Sequence, residues 1–483
     1  MAISITQEPS DYNLVVQPNV WTIGGLTTED GYYIEVKDYL TAAPIATIKQ
    51  PANPAGVAHF DVSRILQAQL HTSFYETTTK VAPTPGEVYN YYIYYGTYTN
   101  NITSFVGGSG TKVVLNGYDN WRNLNWNDTP FNPSPDHVAC PDAGFNAEYP
   151  SEYSFLTNFP ADAYKLRSSS YHTLGFFNRI ANWDSYDDWE LNVQPAYARI
   201  KFFDKDANLI QTVIYSISED NGLGPKLAFD STGPIAGGGE FYTNPQIVGQ
   251  IGAGPQNLKD AGYWPQEAFA TWNTIIQTWG NYAVIWNEPV LTTAVIDNYT
   301  VEILSLNQCY FDVEGAPIDN AATTLEPYLG DVIYTFNFQV ADPCSQFEPI
   351  TVSFLNQYGV KDYYTFDRRN TYNVNSKRQE YYKSNNTWSE ANFAINPYDG
   401  GATTFSSQIQ TNITLSTDWM NDDVSQWLEE LYTSPSVQLY INGSWEPCVI
   451  TSNNYEQKTY SRNRMFQHIL TVKYANNKQV QRG

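Results

Sequence analysis

Tyr89-Asn90-Tyr91-Tyr92-Ile93-Tyr94-Tyr95 is the stretch on which the fold class turns. It is short and dense in aromatic and branched side chains. The same texture returns at Gly31–Val36, Ala198–Phe203, Leu209–Tyr215, Tyr299–Leu304, Val332–Phe338 and His468–Tyr474, with clusters of Gly, Pro, Asn and Asp between. Such runs read as β-strands. At this spacing, with turn signals between them and few helices, they predict a mainly β chain of several β-sandwich modules rather than a parallel α/β sheet.

Two short helices are expected. Asp61 caps one that runs to about His71, with Ile65, Leu66 and Leu70 on one face. The other follows Ser416-Thr417 and occupies roughly 416–433. There Met420, Val424, Trp427, Leu428 and Leu431 recur at helical steps, and Asp422, Asp423, Glu429 and Glu430 take the opposite side. Ser434-Pro435 ends it, since the residue before proline avoids the helical region.

The length of 483 residues sets a prior of about three domains. Composition divides the chain into a module over 1–117, a linker or ordered extension over 118–150, a central module over 151–345, and a C-terminal module over 346–483 that carries the second helix. The segment Tyr118–Pro135 holds three prolines and no periodicity, which marks it as a connection. Glycine-rich Gly233–Gly239 and Gly252-Ala253-Gly254-Pro255 read as a long surface loop with a tight crossing, serving positive φ angles and close chain approach.

The chain has 26 Lys+Arg against 50 Asp+Glu, a net charge of −24. That sign repels phosphate and excludes ordinary sequence-specific nucleic-acid binding and a basic membrane-surface role. No apolar run approaches the length of a membrane span, and Met1–Ser10 has neither a basic nor an apolar signal region, so synthesis in the cytosol is expected. Aromatic residues make up 15%, enough apolar area for folded cores and too much for wholesale disorder.

Reactive chemistry finds little support. Cys140, Cys309, Cys344 and Cys448 form no CxxC pair or zinc spacing and read as buried free thiols, with a disulfide between two of them left open. His59, His71, His137, His172 and His468 make no HExxH or His/Cys cluster. There is no nucleophile elbow, no P-loop and no dinucleotide fingerprint. Asp204-Lys205-Asp206-Ala207-Asn208 begins like a calcium loop, but position six is Leu209 and position twelve is Tyr215, so a hairpin turn is expected. No metal and no cofactor are expected. Six N-x-[ST] sequons, at Asn101, Asn127, Asn298, Asn385, Asn412 and Asn442, reflect an Asn/Thr-rich β protein.

Two aromatic stretches are candidates for binding. Trp183, Asp184, Asp187 and Trp189 lie in a loop that could contact glycans, and Asp184, Asp187, Asp188 and Glu190 are the carboxylates a glycosidase would need. Trp121, Trp126, Trp419, Trp427 and Tyr92 are candidate anchors at a subunit interface, because Trp and Tyr combine a large apolar body with a polar tip.

Several phrases carry a resemblance: Ile3–Pro9 with Gln17–Ile23, Gly56–Ser63, Ser154–Pro160, Gly254–Leu258, Phe354–Phe366 and Trp427–Val437. In this order they resemble virion structural proteins of tailed double-stranded DNA bacteriophages, of the marine and Bacteroidetes-infecting group. The resemblance implies an immunoglobulin-like N-terminal module and a virion component in the tail or its fibres. It brings no catalytic residues. The expected fold is mainly β and multi-domain, with immunoglobulin-like and jelly-roll-like sandwich modules and a few short helices.

The expected function is a non-enzymatic structural subunit, made in the host cytoplasm and located in the virion. Its partners are copies of itself and other phage virion proteins, with host surface glycans as a further class. The alternatives are a head fibre or capsid-decorating protein, a carbohydrate-binding host-recognition protein, and a glycosidase. An acidic surface suits either a channel along which DNA slides or an exterior that keeps copies apart until specific faces dock.

Overall fold

The computed structural model describes residues 3–9, 12–25, 31–39, 41–71, 82–83, 88–118, 155–177, 195–216, 229–230, 233–234, 248–265, 295–306, 329–342, 347–384, 386–388, 391–395, 401–452, 467–476 and 480–482. Among these the chain is mainly β, with three short helices. Contacts group the chain into two units. Unit 1 is Met1–Asp342 together with Asn356–Asp362; unit 2 is Pro343–Leu355 together with Tyr363–Gly483.

Unit 1 begins with two sheets. The first joins Ser4–Gln7, Val20–Gly24 and Val57–Asp61; the second runs Tyr12–Leu14, Lys112–Leu115, Val88–Thr99, Gly31–Asp38, Pro44–Pro51, with Ile102–Gly108 also on Val88–Thr99. Alternation along each strand sends one face inward. Trp21, Ile23, Ala58 and Phe60 of the first sheet and Tyr32, Ile34, Val36, Tyr91, Ile93 and Val114 of the second thereby share one core. Every strand expected from sequence, from Gly31–Val36 to His468–Tyr474, lies in or overlaps an observed strand.

The first helix is shorter than its pattern suggests. It spans Ser63–Gln67, its N-cap is Val62, and Asp61 accepts a bond from the Ser63 N–H at 3.0 Å instead of capping the helix. Gln69 and Leu70 bond back three residues, to Leu66 and Gln67, so the segment tightens and regular helix stops well before His71. Leu66 is buried as expected, and Leu70 packs on the core edge.

The later part of unit 1 pairs Thr173–Phe177 with Val248–Gly252, which in turn pairs with Ala82–Pro83. A four-stranded antiparallel sheet runs Leu209–Ser216, Pro195–Phe203, Asn298–Leu306, Leu329–Gln339. Asp204–Asn208 is the turn of its first hairpin. The Asp204 carboxylate accepts the N–H groups of Asp206 and Asn208 at 2.9 and 2.8 Å, and Ala207 takes the left-handed φ of 62°. The Gly252–Pro255 stretch differs from expectation. It is buried, it leads straight into the helix Pro255–Asp260, and Gly254 has φ −71°. Glycine is needed there for space, since a Cβ would sit 2.2 Å from the His172 backbone nitrogen.

Residues Asn356–Asp362 complete unit 1. Asn356 Oδ1 accepts the N–H groups of Tyr358 and Val360 at 3.0 and 3.1 Å, and its amide donates to the Leu156 carbonyl at 2.9 Å. Thr157 Oγ1 meets both oxygens of the buried Asp362 at 3.0 Å. Val360 packs with Leu14, Leu115 and Leu156. Two phrases distant in sequence, Ser154–Pro160 and Phe354–Phe366, thus meet through these residues.

Unit 2 is built on an eight-stranded sheet in the order Lys361–Phe366 (of which Tyr363–Phe366 belong to this unit), Ile350–Leu355, Val437–Ile441, Ser444–Ile450, Ile469–Tyr474, Gly401–Ser416, Thr371–Lys383, with Val480–Arg482 also on Gly401–Ser416. The helix Asp422–Thr433 lies against it, burying Val424, Trp427, Leu428 and Leu431. It starts later than Ser416-Thr417 because Ser416 is still paired with Ile469, and Asn421 is the N-cap, accepting the Val424 N–H at 3.1 Å. Asp422 and Asp423 occupy the first turn, where the helix dipole favours negative charge.

Candidate interaction surface

The residues singled out from sequence part company here. Trp121, Trp126, Trp183, Asp184, Asp187, Asp188, Trp189 and Glu190 lie outside the described residues, as do His137, Cys140, Cys309 and Cys344. Trp427 is 2% exposed and packs on Phe354 at 5.6 Å and Tyr364 at 6.1 Å, so the core of unit 2 takes up this proposed interface anchor. Trp419, eight residues earlier, is 59% exposed beside the start of the same helix. Tyr92 is half-buried, with its ring 5.3 Å from Tyr94; Tyr94 continues to the exposed Phe105 at 5.1 Å and lies under the Lys37 ammonium at 4.6 Å. These residues form an accessible aromatic patch on unit 1.

Buried polar groups serve packing. His172 lies wholly buried between Phe159 at 4.6 Å and Phe338 at 5.3 Å, and burial pushes its imidazole down to about 3, which keeps it neutral. Glu302 holds Arg199 and, at 2.7 Å, Lys201 across the four-stranded sheet. Burial pushes the Cys448 thiol up to about 12, away from thiolate chemistry. Ser425 Oγ and His468 Nε2 are 2.9 Å apart, the spacing of a nucleophile and its base, but Ser425 is fully buried on the packed side of the helix. A nucleophile must touch its substrate, and this hydroxyl faces the interior. Among the described residues no three His, Cys, Asp or Glu side chains come together as metal ligands, and no helix is long and apolar enough to cross a membrane.

The feature most open to a partner is a long ribbon in unit 2. Thr371–Lys383 pairs along its whole length with Gly401–Ser416, from Thr371 opposite Thr414 to Lys383 opposite Gly401. It is the last strand of the sheet, and each of its thirteen side chains is exposed. At about 3.3 Å per residue the strand is roughly 40 Å long. Tyr372, Val374, Tyr381 and Tyr382 project from it, and Phe405 from its neighbour, all at least 48% exposed.

Physical chemistry makes this ribbon costly in isolation. Each ordered residue loses about 1–2 kcal/mol of backbone entropy, and a ladder hydrogen bond returns a net of about 0.5–1.5 kcal/mol. A strand with no buried side chain adds almost no hydrophobic term, and two-stranded ribbons alone are marginal in water. The strand also differs in charge from the rest of the chain. Lys377, Arg378 and Lys383 against Glu380 give 3 − 1 = +2, in a protein of net charge −24.

Sequence reasoning passed over this segment, although it offered a signal. Thirteen strand-compatible residues without Gly or Pro carry a mixed-charge centre, Lys377-Arg378-Gln379-Glu380, which suits no buried strand. No protein-family model matches the chain, and no curated protein or solved structure matches it either.

Proposed function

We propose that the chain is a non-enzymatic structural subunit of a tailed-bacteriophage virion, in the tail or its fibres, where it assembles with copies of itself and with other virion proteins. The observation that carries this reading is the exposed Thr371–Lys383 ribbon. A strand whose side chains are all exposed is well suited to be covered by a neighbour in an assembly. The exposed Trp419 and the Tyr92–Tyr94–Phe105 patch add aromatic area of the kind found at interface centres. The phage assignment itself rests on the sequence resemblance.

The finer fold belongs to the same proposal. Two sheets facing each other across the Trp21–Tyr91 core support an immunoglobulin-like sandwich in the N-terminal module. The eight strands of unit 2 lie in one sheet, whereas a jelly roll packs two, so the jelly-roll part of the proposal rests on the sequence reading alone.

Purified particles supply the test. Mass spectrometry should find the chain in them, and particle imaging should place it at a fixed, symmetric position. A chain in which residues 379–406 are replaced by a two-residue turn, joining the paired Arg378 and Ser407, should keep its unfolding transition and be left out of particles. Absence of the intact chain from particles, or normal incorporation of the trimmed one, overturns the proposal.

A further inference from the structure

We infer that the outer edge of Thr371–Lys383 pairs with the same strand of a second copy, antiparallel, across a two-fold axis at Gln379. The inference rests on reading the ribbon as an assembly element, and it specifies the occupant and the register.

Among the described residues the edge is open. Thr371–Lys383 ends the sheet, its pairing with Gly401–Ser416 uses one side, and its side chains are exposed throughout. Edges that avoid pairing are short, bulged, interrupted by proline or carry charged side chains, lysine above all, which a partner of opposite charge can meet. This one is thirteen residues long and has no proline. The single irregularity, between Gln379 and Glu380, gives its extra residue, Phe405, to the inner strand, so the outer strand keeps its alternation.

The charges fix the register. Two identical antiparallel strands in one sheet are related by an axis perpendicular to that sheet. The axis keeps each side chain on its own face, so even-numbered residues meet even-numbered ones. Pairing therefore centres on a residue. Glu380 is the one carboxylate in the strand, and Arg378 is its one even-numbered cation, since Lys377 and Lys383 are odd. The sole centre that opposes them is Gln379. Arg378 then faces the second copy's Glu380 twice, Lys377 faces Tyr381 twice, and Lys383 faces Asn375. No like charges are opposed.

Neither Lys377 nor Arg378 has a carboxylate within ion-pair distance in the described structure, so both are free to make these contacts. Opposite charges directly across a ladder attract and like charges there repel. An isologous contact makes each favourable pair twice.

The test uses the full chain and a charge exchange. Wild type should show a concentration-dependent dimer in sedimentation equilibrium. Arg378→Glu alone and Glu380→Arg alone should each weaken it by about tenfold or more, because each opposes like charges twice. An equimolar mixture of the two variants should restore dimers, and so should the double variant R378E/E380R. Gln379→Cys should cross-link on oxidation, beyond the background of the unmodified chain. Asn373→Cys should not, because the two copies of that residue would lie about 40 Å apart. These side chains are exposed, so unchanged unfolding curves keep the comparison valid.

Failure of the mixture to recover, cross-linking at Asn373→Cys equal to that at Gln379→Cys, or a wild type that stays monomeric overturns the two-fold pairing. Incorporation of the trimmed chain into particles decides the assembly reading separately.

Discussion

Ser425 and His468 hold each other across the interior of unit 2, hydroxyl to imidazole at 2.9 Å, while the His468 backbone N–H donates to Thr417 Oγ1 at 2.8 Å. The pair ties the helix to the strand Ile469–Tyr474. Ser425→Ala should leave a buried imidazole nitrogen without its partner and destabilise the protein by about 1–3 kcal/mol. Replacing both groups, as S425A/H468F, should recover part of that loss. Urea unfolding measures both; a Ser425→Ala chain as stable as wild type would show that the contact contributes nothing.

His172 gives the protein a pH dependence of definite sign. Burial lowers its imidazole from 6.5 to about 3, so between those values the unfolded chain binds a proton that the folded chain does not. The contribution of this group to stability is therefore fully present above pH 6.5 and is lost as the pH drops toward 3. His468, also lowered by burial, acts in the same direction. His172→Phe, which suits the cage of Phe159 and Phe338, should lose about 2 kcal/mol less than wild type between pH 6.5 and 5. Parallel stability–pH curves for the two chains would contradict this.

Trp419 and Trp427, eight residues apart, should respond differently. Trp427→Ala opens a cavity against Phe354 and Tyr364 and should cost about 3–5 kcal/mol. Trp419→Ala removes an exposed ring and should change stability by less than about 0.5 kcal/mol. If Trp419 is an assembly anchor, its loss should instead lower incorporation into particles. Thermal unfolding and particle composition separate the two effects.

Gly254→Ala tests the close crossing after Val248–Gly252. The new methyl would fall 2.2 Å from a backbone nitrogen of His172, so chain segments rather than a flexible side chain must move. A destabilisation of about 1–3 kcal/mol or more is expected, by overpacking alone, because the φ of −71° suits alanine. A neutral Gly254→Ala by chemical denaturation would mean that the crossing is looser than it stands.

Local patterning made the strands legible. Tyr89–Tyr95 and Ala198–Phe203 carry β-formers at a density no other element tolerates, and Asp204 and Asn208 mark the turn between strands by their own side-chain bonds. Helix ends were less legible. Ser416 resembles a cap, but strand pairing with Ile469 holds it, and Asn421 caps instead. The candidate site was illegible for a different reason. Tyr372 and Val374 look like any strand residues, yet they stand exposed, with no covering layer among the described residues. That depends on tertiary placement, which periodicity does not encode. Burial likewise decided between Trp427 and Trp419, two residues with similar local surroundings in sequence.

The route of the polypeptide limits how this protein can be made and divided. Because Asn356–Asp362 belongs to unit 1 while the stretches on either side belong to unit 2, the backbone passes from one unit to the other three times. A ribosome that has finished Asp342 has not yet supplied Val360, which closes the cluster of Leu14, Leu115 and Leu156. Unit 1 must wait for at least twenty further residues before its packing is complete, 362 − 342 = 20. For the same reason, a gene fragment stopped at the apparent boundary would encode an unfinished unit, and cleavage near residue 343 would leave its last piece attached to the other fragment.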